Sequence, residues 1–355
     1  MYTIAHLRNI NPEGSQIYRL RISDHEADAK ALNDFLSRRI PEHLEIDMRR
    51  LTDIPLILSH LTELKKLVLR VPSISEIKSS HLPSGLESIT LKCSRLHKIH
   101  SSFWHTNMHT INLEIDWLEQ QDCETSSVSE SLTRLNLNIK NLTRLPSALN
   151  NHKLKWLHIK CDKLNEVPEK VISSTQLIDL SLDVKNIETP LIQNESQGLR
   201  TLNLNSDNPL DLSRVKISSA LRVFQAWSPH TILPDFSQAI YLIRLNLRGL
   251  EGALDSGIGN CHNLMNLHIS DSNLSRITPK INNLSKLRSF ILEANMDNIP
   301  QEILQLPSLE TFSLAHNNLK NIEADWSGLK NLKELNLSNN SITCLLYTSP
   351  SPRDS

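Results

Sequence analysis

The chain has 355 residues and a mass of 40.4 kDa, and its 38 Lys and Arg nearly balance its 39 Asp and Glu, so the formal net charge is -1. This balance provides no overall positive field for nucleic acid or an acidic membrane surface, so neither is expected as a partner. With 39% hydrophobic residues, a mean hydropathy of -0.29 and no long apolar run, the chain can bury a core but predicts no membrane span.

The N-terminal residues show no targeting signal. Residues 1–12 lack the basic flank, apolar stretch and small-residue cleavage site of a secretory signal peptide. The five cysteines form no CxxC pair and no cluster at either end of the chain, which indicates reduced thiols. Both observations predict a cytoplasmic protein. The cysteines are Cys93, Cys123, Cys161, Cys261 and Cys344.

Residues 1–40 are predicted to form an N-terminal capping segment. Leu20 and Ile22 alternate as in a degenerate first strand. Ser23 and Glu26 stand at the spacing of a capping box, so a helix is expected to begin there. The strand and the helix together would cover the first regular repeat of the chain.

Residues 41–343 repeat an L-x-x-L-x-L pattern about every 22 residues. Fourteen units align, and the fourth and sixth positions of every unit are apolar, which is typical of a short strand that buries one face. One unit has too few apolar side chains to fold alone, so the units must stack. The fourth positions are Leu44, Leu67, Ile89, Ile111, Leu135, Leu157, Leu180, Leu202, Phe224, Leu245, Leu267, Phe290, Phe312 and Leu335.

This pattern resembles the leucine-rich repeat, and return segments such as Ile54-Pro55 and Leu145-Pro146 resemble its intracellular 23-residue class, often called Ras-group. The resemblance implies an α/β fold, a leucine-rich repeat solenoid shaped as a right-handed horseshoe. Its parallel β-sheet would be concave, and irregular or helical returns would form the convex side. It also implies a protein-binding scaffold of the kind used in signalling.

The resemblance further implies an asparagine at the ninth position of each unit, where its amide bonds backbone groups of the turn. Only Asn295, Asn317 and Asn340 fit this rule. The earlier units instead place an apolar residue at the eighth position, so we expect longer strands with a third inward side chain. These residues are Val71, Cys93, Ile115, Ile139, Cys161 and Val184.

The stacking chemistry is predicted to change near residue 206, where the eighth position becomes polar or small. Four of the eight glycines lie between Gly249 and Gly259, and prolines precede them. Glycine and proline weaken regular strands, so an irregular seam is expected at about 205–260. The seam is either repeat decay without consequence or the wall of a binding pocket around Trp227.

The third, fifth and seventh positions of each strand alternate with the buried leucines and are expected to face outward on the concave sheet. Trp and Arg at such positions favour protein binding, because they bury large areas and donate fixed hydrogen bonds. The alternative is an ordinary solvated face of mixed charge. The candidate partner-binding residues are Arg134, Trp156, His158, Asp179, Asp183, Trp227, Arg244 and Arg248.

Other residues that carry chemistry do not define a site. The spacing of His97, His100, His105 and His109 matches no known ligand pattern, so no metal is expected. The stretch 257–259 lacks the third glycine of a dinucleotide site, so no cofactor is expected. Since no nucleophile, base and orienting group converge, the residues predict no enzyme activity of their own.

Residues 344–355, CLLYTSPSPRDS, break the repeat pattern and resemble the translation of a sequencing-library adapter. We therefore expect this tail to be non-native and the natural chain to continue past Thr343. Two functions stay open. The chain is either a module that binds a partner protein on its concave face, or the recognition arm of a larger enzyme or signalling protein, such as a kinase, a GTPase or a ubiquitin-ligase effector.

Overall fold

The computed structural model describes residues 19–23, 29–37, 41–119, 128–146, 149, 153–164, 167, 171, 174–185 and 198–343. The chain divides into two compact units between Leu199 and Arg200. Glu26 of the predicted capping box and the predicted non-native tail, residues 344–355, lie outside the described residues.

The first unit contains ten strands among its described residues. They are β1 (Arg19–Ser23), β2 (His43–Asp47), β3 (Lys66–Arg70), β4 (Glu76–Ile77), β5 (Ser88–Lys92), β6 (Lys98–Ile99), β7 (Thr110–Ile115), β8 (Arg134–Ile139), β9 (Trp156–Cys161) and β10 (Asp179–Val184). The described helices of this unit are α1 (Ala29–Leu36), α2 (Ser101–Trp104) and the 3-10 helices Leu56–His60 and Ser79–His81.

Eight strands of the first unit form a parallel sheet in the order β1, β2, β3, β5, β7, β8, β9, β10, and β4 pairs with β6 in the returns. Equivalent positions of successive repeats lie opposite each other, so Leu67 pairs with both Leu44 and Ile89. Parallel neighbours require a return segment between them, which the residues between strands provide. The repeat alignment and the predicted fold class are confirmed.

The core of the first unit lies between the sheet and the returns. All six apolar residues at the eighth position are buried. The strands β7, β8, β9 and β10 extend far enough to include theirs, as predicted, whereas β3 and β5 end one residue before Val71 and Cys93. Phe103 and Trp104 of α2 are buried and contact each other edge to face, with ring centroids 5.5 Å apart. Helix α1 buries Leu32, Phe35 and Leu36. The assignment of residues 1–40 as a capping domain stays a prediction.

The second unit contains nine strands among its described residues. They are β11 (Thr201–Ser206), β12 (Leu210–Asp211), β13 (Val223–Ile232), β14 (Arg244–Leu254), β15 (Asn266–Ser270), β16 (Asn273–Ile277), β17 (Ser289–Leu292), β18 (Thr311–Ser313) and β19 (Glu334–Asn336). The 3-10 helices are Ile258–Asn260, Pro279–Asn283, Gln301–Gln305 and Trp326–Gly328.

The second unit has a parallel sheet in the order β11, β13, β14, β15, β17, β18, β19. Strands β13 and β14 are unusually long, with 10 and 11 residues, and continue beyond this sheet to pair with β12 and β16. The register shifts between Trp227 and Thr231, and Gly249 follows with φ of +70°. These features fall within the stretch 205–260, whose functional role stays a prediction.

Two asparagine side chains, the buried Asn317 and the partly buried Asn340, satisfy backbone groups of the last turns. Asn317 Oδ1 accepts hydrogen bonds from the backbone N–H groups of Ala294 and Met296, both at 3.0 Å, and Asn340 Oδ1 accepts one from Leu319 N–H at 3.1 Å. The prediction that the Asn295 amide bonds backbone groups of its turn is wrong.

Asn295 is exposed because it takes the left-handed turn conformation itself, with φ of +53°. In the next two units the eighth-position residues His316 and Asn339 have that conformation, both with φ of +54°. Relative to the next two units, the left-handed residue of the turn that contains Asn295 is therefore displaced by one position along the repeat.

Around β13 and β14, serine and threonine hydroxyl groups, in place of asparagine amides, form hydrogen bonds with the backbone of the turns. Ser228 Oγ donates to His230 O at 2.6 Å and contacts Thr231 Oγ1 at 2.8 Å, while Thr231 Oγ1 donates to Arg248 O at 2.8 Å. Ser272 Oγ accepts from Leu250 N–H at 3.0 Å. Since buried backbone groups need partners, these side chains allow the ladder to turn without unpaired polar atoms.

In the described part of the chain, no helix has the length and apolar character needed to cross a bilayer.

Candidate functional site

The outward face of β8, β9 and β10 brings together five of the candidate residues. Arg134, Trp156 and Asp179 stand at equivalent positions of the three strands and lie side by side in register. The guanidinium carbon of Arg134 lies 4.5 Å from the centroid of the Trp156 ring. This is a cation–π contact, which orients both side chains while leaving much of their surface open to a partner.

A contact between His158 and Asp179 and an ion pair between Lys160 and Asp183 continue this surface from β9 to β10. His158 Nε2 lies 2.9 Å from Asp179 Oδ1, and Lys160 Nζ donates to Asp183 Oδ2 at 2.7 Å. His158, Lys160 and Asp183 are substantially exposed and Asp179 is partly exposed, so water screens both contacts and each contributes only about 0–1 kcal/mol to folding. Their main effect is to hold charges of both signs in defined positions. Lys160 also belongs to this surface, although it is not one of the eight residues predicted from the sequence.

A row of polar side chains extends the same face toward β5. Asn112 Nδ2 donates to Thr90 Oγ1 at 3.0 Å, and Asn136 Nδ2 donates to Asn112 Oδ1. The three residues stand at the fifth position of successive repeats, so their contact follows from the register. Sequence reasoning missed this row because short polar residues gave no hot-spot signal. It supplies a flat, hydrogen-bonded margin next to Arg134.

A cavity of about 340 Å³ opens where β5, β7 and β8 end. Lys92 pairs with Glu114, and Lys140 Nζ lies 2.7 Å from Asp116 Oδ1. Burial raises the pKa of the Cys93 thiol to about 11, so this thiol is protonated at neutral pH and is a poor nucleophile. The cavity is lined by Pro72, Lys92, Cys93, Ser94, Glu114, Ile115, Asp116, Asn138 and Lys140.

The other three candidate residues lie on β13 and β14 in the second unit. Trp227 is 41% exposed and lies opposite Arg248 in register. Arg248 Nε is 2.8 Å from Asp271 Oδ2, so this arginine is already paired. Arg244 stands at the start of β14, opposite Val223, and therefore does not join Trp227 and Arg248. All eight candidate residues occupy outward strand positions, and their role in binding stays a prediction.

The histidines that bunch in the sequence separate into individual pairs. His100 Nε2 lies 3.3 Å from Glu76 Oε2, and His97 Nε2 lies 3.8 Å from Glu119 Oε1. The hydrogen bond from His100 lowers the pKa of the Glu76 carboxyl. Within the described ranges, no group of three or more His, Cys, Asp and Glu side chains is arranged to hold a metal ion.

Known proteins share the repeat architecture described above. The family model of leucine-rich repeats, in two copies, matches residues 307–349. A leucine-rich repeat protein of Leptospira interrogans is similar to the chain with a TM-score of 0.61 and 19% identity, over 88% of this chain and 87% of that one. An internalin of Listeria monocytogenes is similar with a TM-score of 0.59 and 18% identity, over 91% of this chain and 87% of that one. The chain therefore has the fold of a leucine-rich repeat solenoid.

A curated relative adds one partial match. The adenylate cyclase of Schizosaccharomyces pombe is 37% identical over 90 residues, which make up 25% of this chain and 5% of that protein. The matched segment therefore spans about a twentieth of that enzyme. At under 25% identity, the likeness to the two solved structures shows the fold alone.

Proposed function

We propose that the chain is a protein-binding module that holds its partner on the exposed face of its strands. The observation that carries this proposal is the stacked pair of Arg134 and Trp156, flanked by the contact of His158 with Asp179. Trp and Arg supply a large share of the binding energy in protein interfaces. Because these side chains are already held in place, less side-chain entropy is lost when a partner binds.

The chemistry of this face favours a protein over a nucleic acid. Arg134 and Lys160 alternate with Asp179 and Asp183, and a phosphate backbone would meet the two carboxylates unfavourably. A folded protein can present complementary charges of both signs. In the second unit, the exposed Trp227 beside Arg248 offers a further anchor. The predicted pocket around Trp227 forms part of this proposal.

Site-specific photo-crosslinking in a lysate of the source cells tests the proposal. A photoreactive phenylalanine analogue at His158 or Gln225 is expected to capture a protein, because both positions lie on the outward strand face. The matched control is the same analogue at Leu56, which is highly exposed on a 3-10 helix of a return. The W156A/W227A double substitution should reduce capture about tenfold or more without lowering the melting temperature.

Three results would count against the proposal. Equal capture at Leu56 and His158 would show that the strand face is not preferred. Crosslinked material that is destroyed by ribonuclease and resists protease would identify RNA as the partner. Unchanged capture by W156A/W227A would remove the two tryptophans from the interface.

A second candidate function, the recognition arm of a larger signalling enzyme, draws support from the adenylate cyclase match. Sequencing the natural transcript past Thr343 with an independent library method tests it. A coding sequence for a catalytic domain in place of CLLYTSPSPRDS would support the recognition arm. A further repeat followed by a stop codon, or recovery of the twelve tail codons in native DNA, would contradict it.

A further inference from the structure

An apolar patch lies at the edge of the second unit, outside the strand face discussed above. Eight large apolar side chains are exposed among the described residues, and three of them, Ile240, Tyr241 and Ile243, fall within four positions. They immediately precede β14, so they lie where its strand begins. Single exposed apolar side chains are common, whereas a contiguous group marks a contact surface.

Neighbouring repeats hold this patch in place. The Ile243 N–H donates to Arg222 O at 2.8 Å, and the Met265 N–H donates to Ile243 O at 2.9 Å, so the three residues form successive steps along one edge. The Tyr241 ring centroid lies 4.6 Å from the guanidinium carbon of Arg222. Asn263 Nδ2 donates to Ile240 O at 2.8 Å. The patch is thus a fixed surface rather than a loose loop.

The stretch of sequence that carries this patch is basic. Residues 212–250, which lie between Asp211 and Glu251, contain five basic residues and one acidic residue, a local balance of +4 in a chain with net charge -1. The acidic residue, Asp235, is occupied because both carboxylate oxygens accept hydrogen bonds from Ser237. The five basic residues are Arg214, Lys216, Arg222, Arg244 and Arg248.

Two of these arginines are available to a partner. Arg222 Nη1 donates to the carbonyl of Ala220 at 3.1 Å, and no carboxylate of the described residues pairs with Arg222 or Arg244. By contrast, Arg248 is paired with Asp271. An arginine without an acidic neighbour can donate two parallel hydrogen bonds to a carboxylate of another molecule.

We propose that Arg222, Ile240, Tyr241, Ile243 and Arg244 dock an acidic peptide segment of the partner protein. Its carboxylates pair with the two arginines, and a bulky apolar side chain between them packs on Tyr241 and Ile243. Charge complementarity selects this occupant, because a neutral apolar peptide would leave both arginines unused. The inference rests on the proposed protein-binding function and names the chemistry of one contact.

Fluorescence anisotropy with defined probes tests the inference on the full chain. The main probe is a fluorescein-labelled peptide, Gly-Asp-Glu-Phe-Glu-Asp-Leu-Glu-Gly. One comparison peptide replaces every acidic residue by Lys, a second replaces Phe and Leu by Ser, and a labelled oligouridylate of about 20 nucleotides represents RNA. We expect saturable binding of the main probe at micromolar concentrations and at least about tenfold weaker binding of both comparison peptides.

Protein variants then locate the binding. R222E/R244E and Y241S/I243S should each weaken the main probe about tenfold or more, whereas R222K/R244K should retain part of the affinity because charge is kept. The matched controls are R276E, since Arg276 is an exposed arginine on β16, and L56S in the first unit. Thermal melts check that every variant is folded.

The inference is overturned if the Lys or Ser peptide binds as tightly as the main probe. It is also overturned if R222E/R244E binds the main probe as the parent chain does, or if the oligouridylate binds more tightly. Crosslinking at His158 and Gln225 is a separate readout, so a failed peptide test with retained strand-face capture rejects the edge site alone. If the peptide does not bind and the strand face also captures no protein, the proposed function is rejected as well.

Discussion

A single buried amide supplies hydrogen bonds that the backbone of the last turns cannot make for itself. Asn317 accepts from two backbone N–H groups and donates to the carbonyls of Leu292, Leu314 and Ala315 at 2.7, 2.9 and 3.1 Å. N317A would leave these buried groups without partners. We expect it to lower the free energy of unfolding by about 3–5 kcal/mol, as measured by urea denaturation.

The neighbouring residue provides the control for this prediction. Asn318 is exposed and joins the turn through its backbone N–H, which donates to Met296 O at 2.9 Å and survives substitution. N318A should therefore change stability by no more than about 0.5 kcal/mol. Equal effects of N317A and N318A would show that the amide network does not stabilise the turn.

Asn317 could be predicted from its position in the repeat, but other buried polar residues could not. Asn141 stands one position later in its unit, yet its amide both accepts from Leu118 N–H and donates to Leu118 O, each at 2.8 Å. Ser272 caps Leu250 only because the long strand β14 brings that N–H within reach. In the sequence alone, a serine or asparagine that caps the backbone cannot be distinguished from one in a solvated loop. Only the path of the neighbouring coil shows which backbone groups it can reach.

At the scale of elements, the close approach of β13 and β14 depends on the absence of a side chain at Gly249. This residue has φ of +70°, and a Cβ atom there would contact Ser228 O and lie 2.8 Å from the carbonyl carbon of Pro229. Backbone atoms cannot move aside as a flexible side chain can. We expect G249A to lower the free energy of unfolding by about 3–5 kcal/mol in chemical denaturation.

Substitution of Gly252 distinguishes backbone strain from steric collision as the cause of that loss. Its φ is +81°, but a Cβ atom there would meet no atom within 4 Å. G252A should cost only about 1–2 kcal/mol, since it adds left-handed backbone strain without a collision. If G249A and G252A cost the same, steric contact between β13 and β14 is not what requires Gly249.

The strands were predictable where apolar residues alternate, but the length of β13 was not. Pro229 signals a break in the sequence, and the structure instead continues past it to Ile232. The register shift between Trp227 and Thr231 places the proline where the ladder is interrupted, so its missing N–H leaves no gap. Pairing with β12 and β14 therefore overrides a local signal.

At the scale of the whole molecule, the candidate strand face could be predicted better than the edge. Arg134 and Trp156 share the third position of successive repeats, so their contact follows from the 22-residue spacing. Tyr241 and Ile243 lie before the strand begins, where the inward and outward alternation does not apply. Their exposure depends on how the return approaches β14, which the repeat pattern leaves undetermined.

Repeats that contact only their neighbours should lose stability locally rather than throughout the chain. Leu157 is fully buried in β9, and L157A should cost about 2–5 kcal/mol by removing core contacts. In hydrogen–deuterium exchange, we expect faster exchange in β8, β9 and β10, with unchanged protection in β15, β17 and β18. L267A, in the core of the second unit, should give the reverse pattern. Equal loss of protection in both sets of strands would contradict this view, because it would mean that the two compact units unfold together as one cooperative structure.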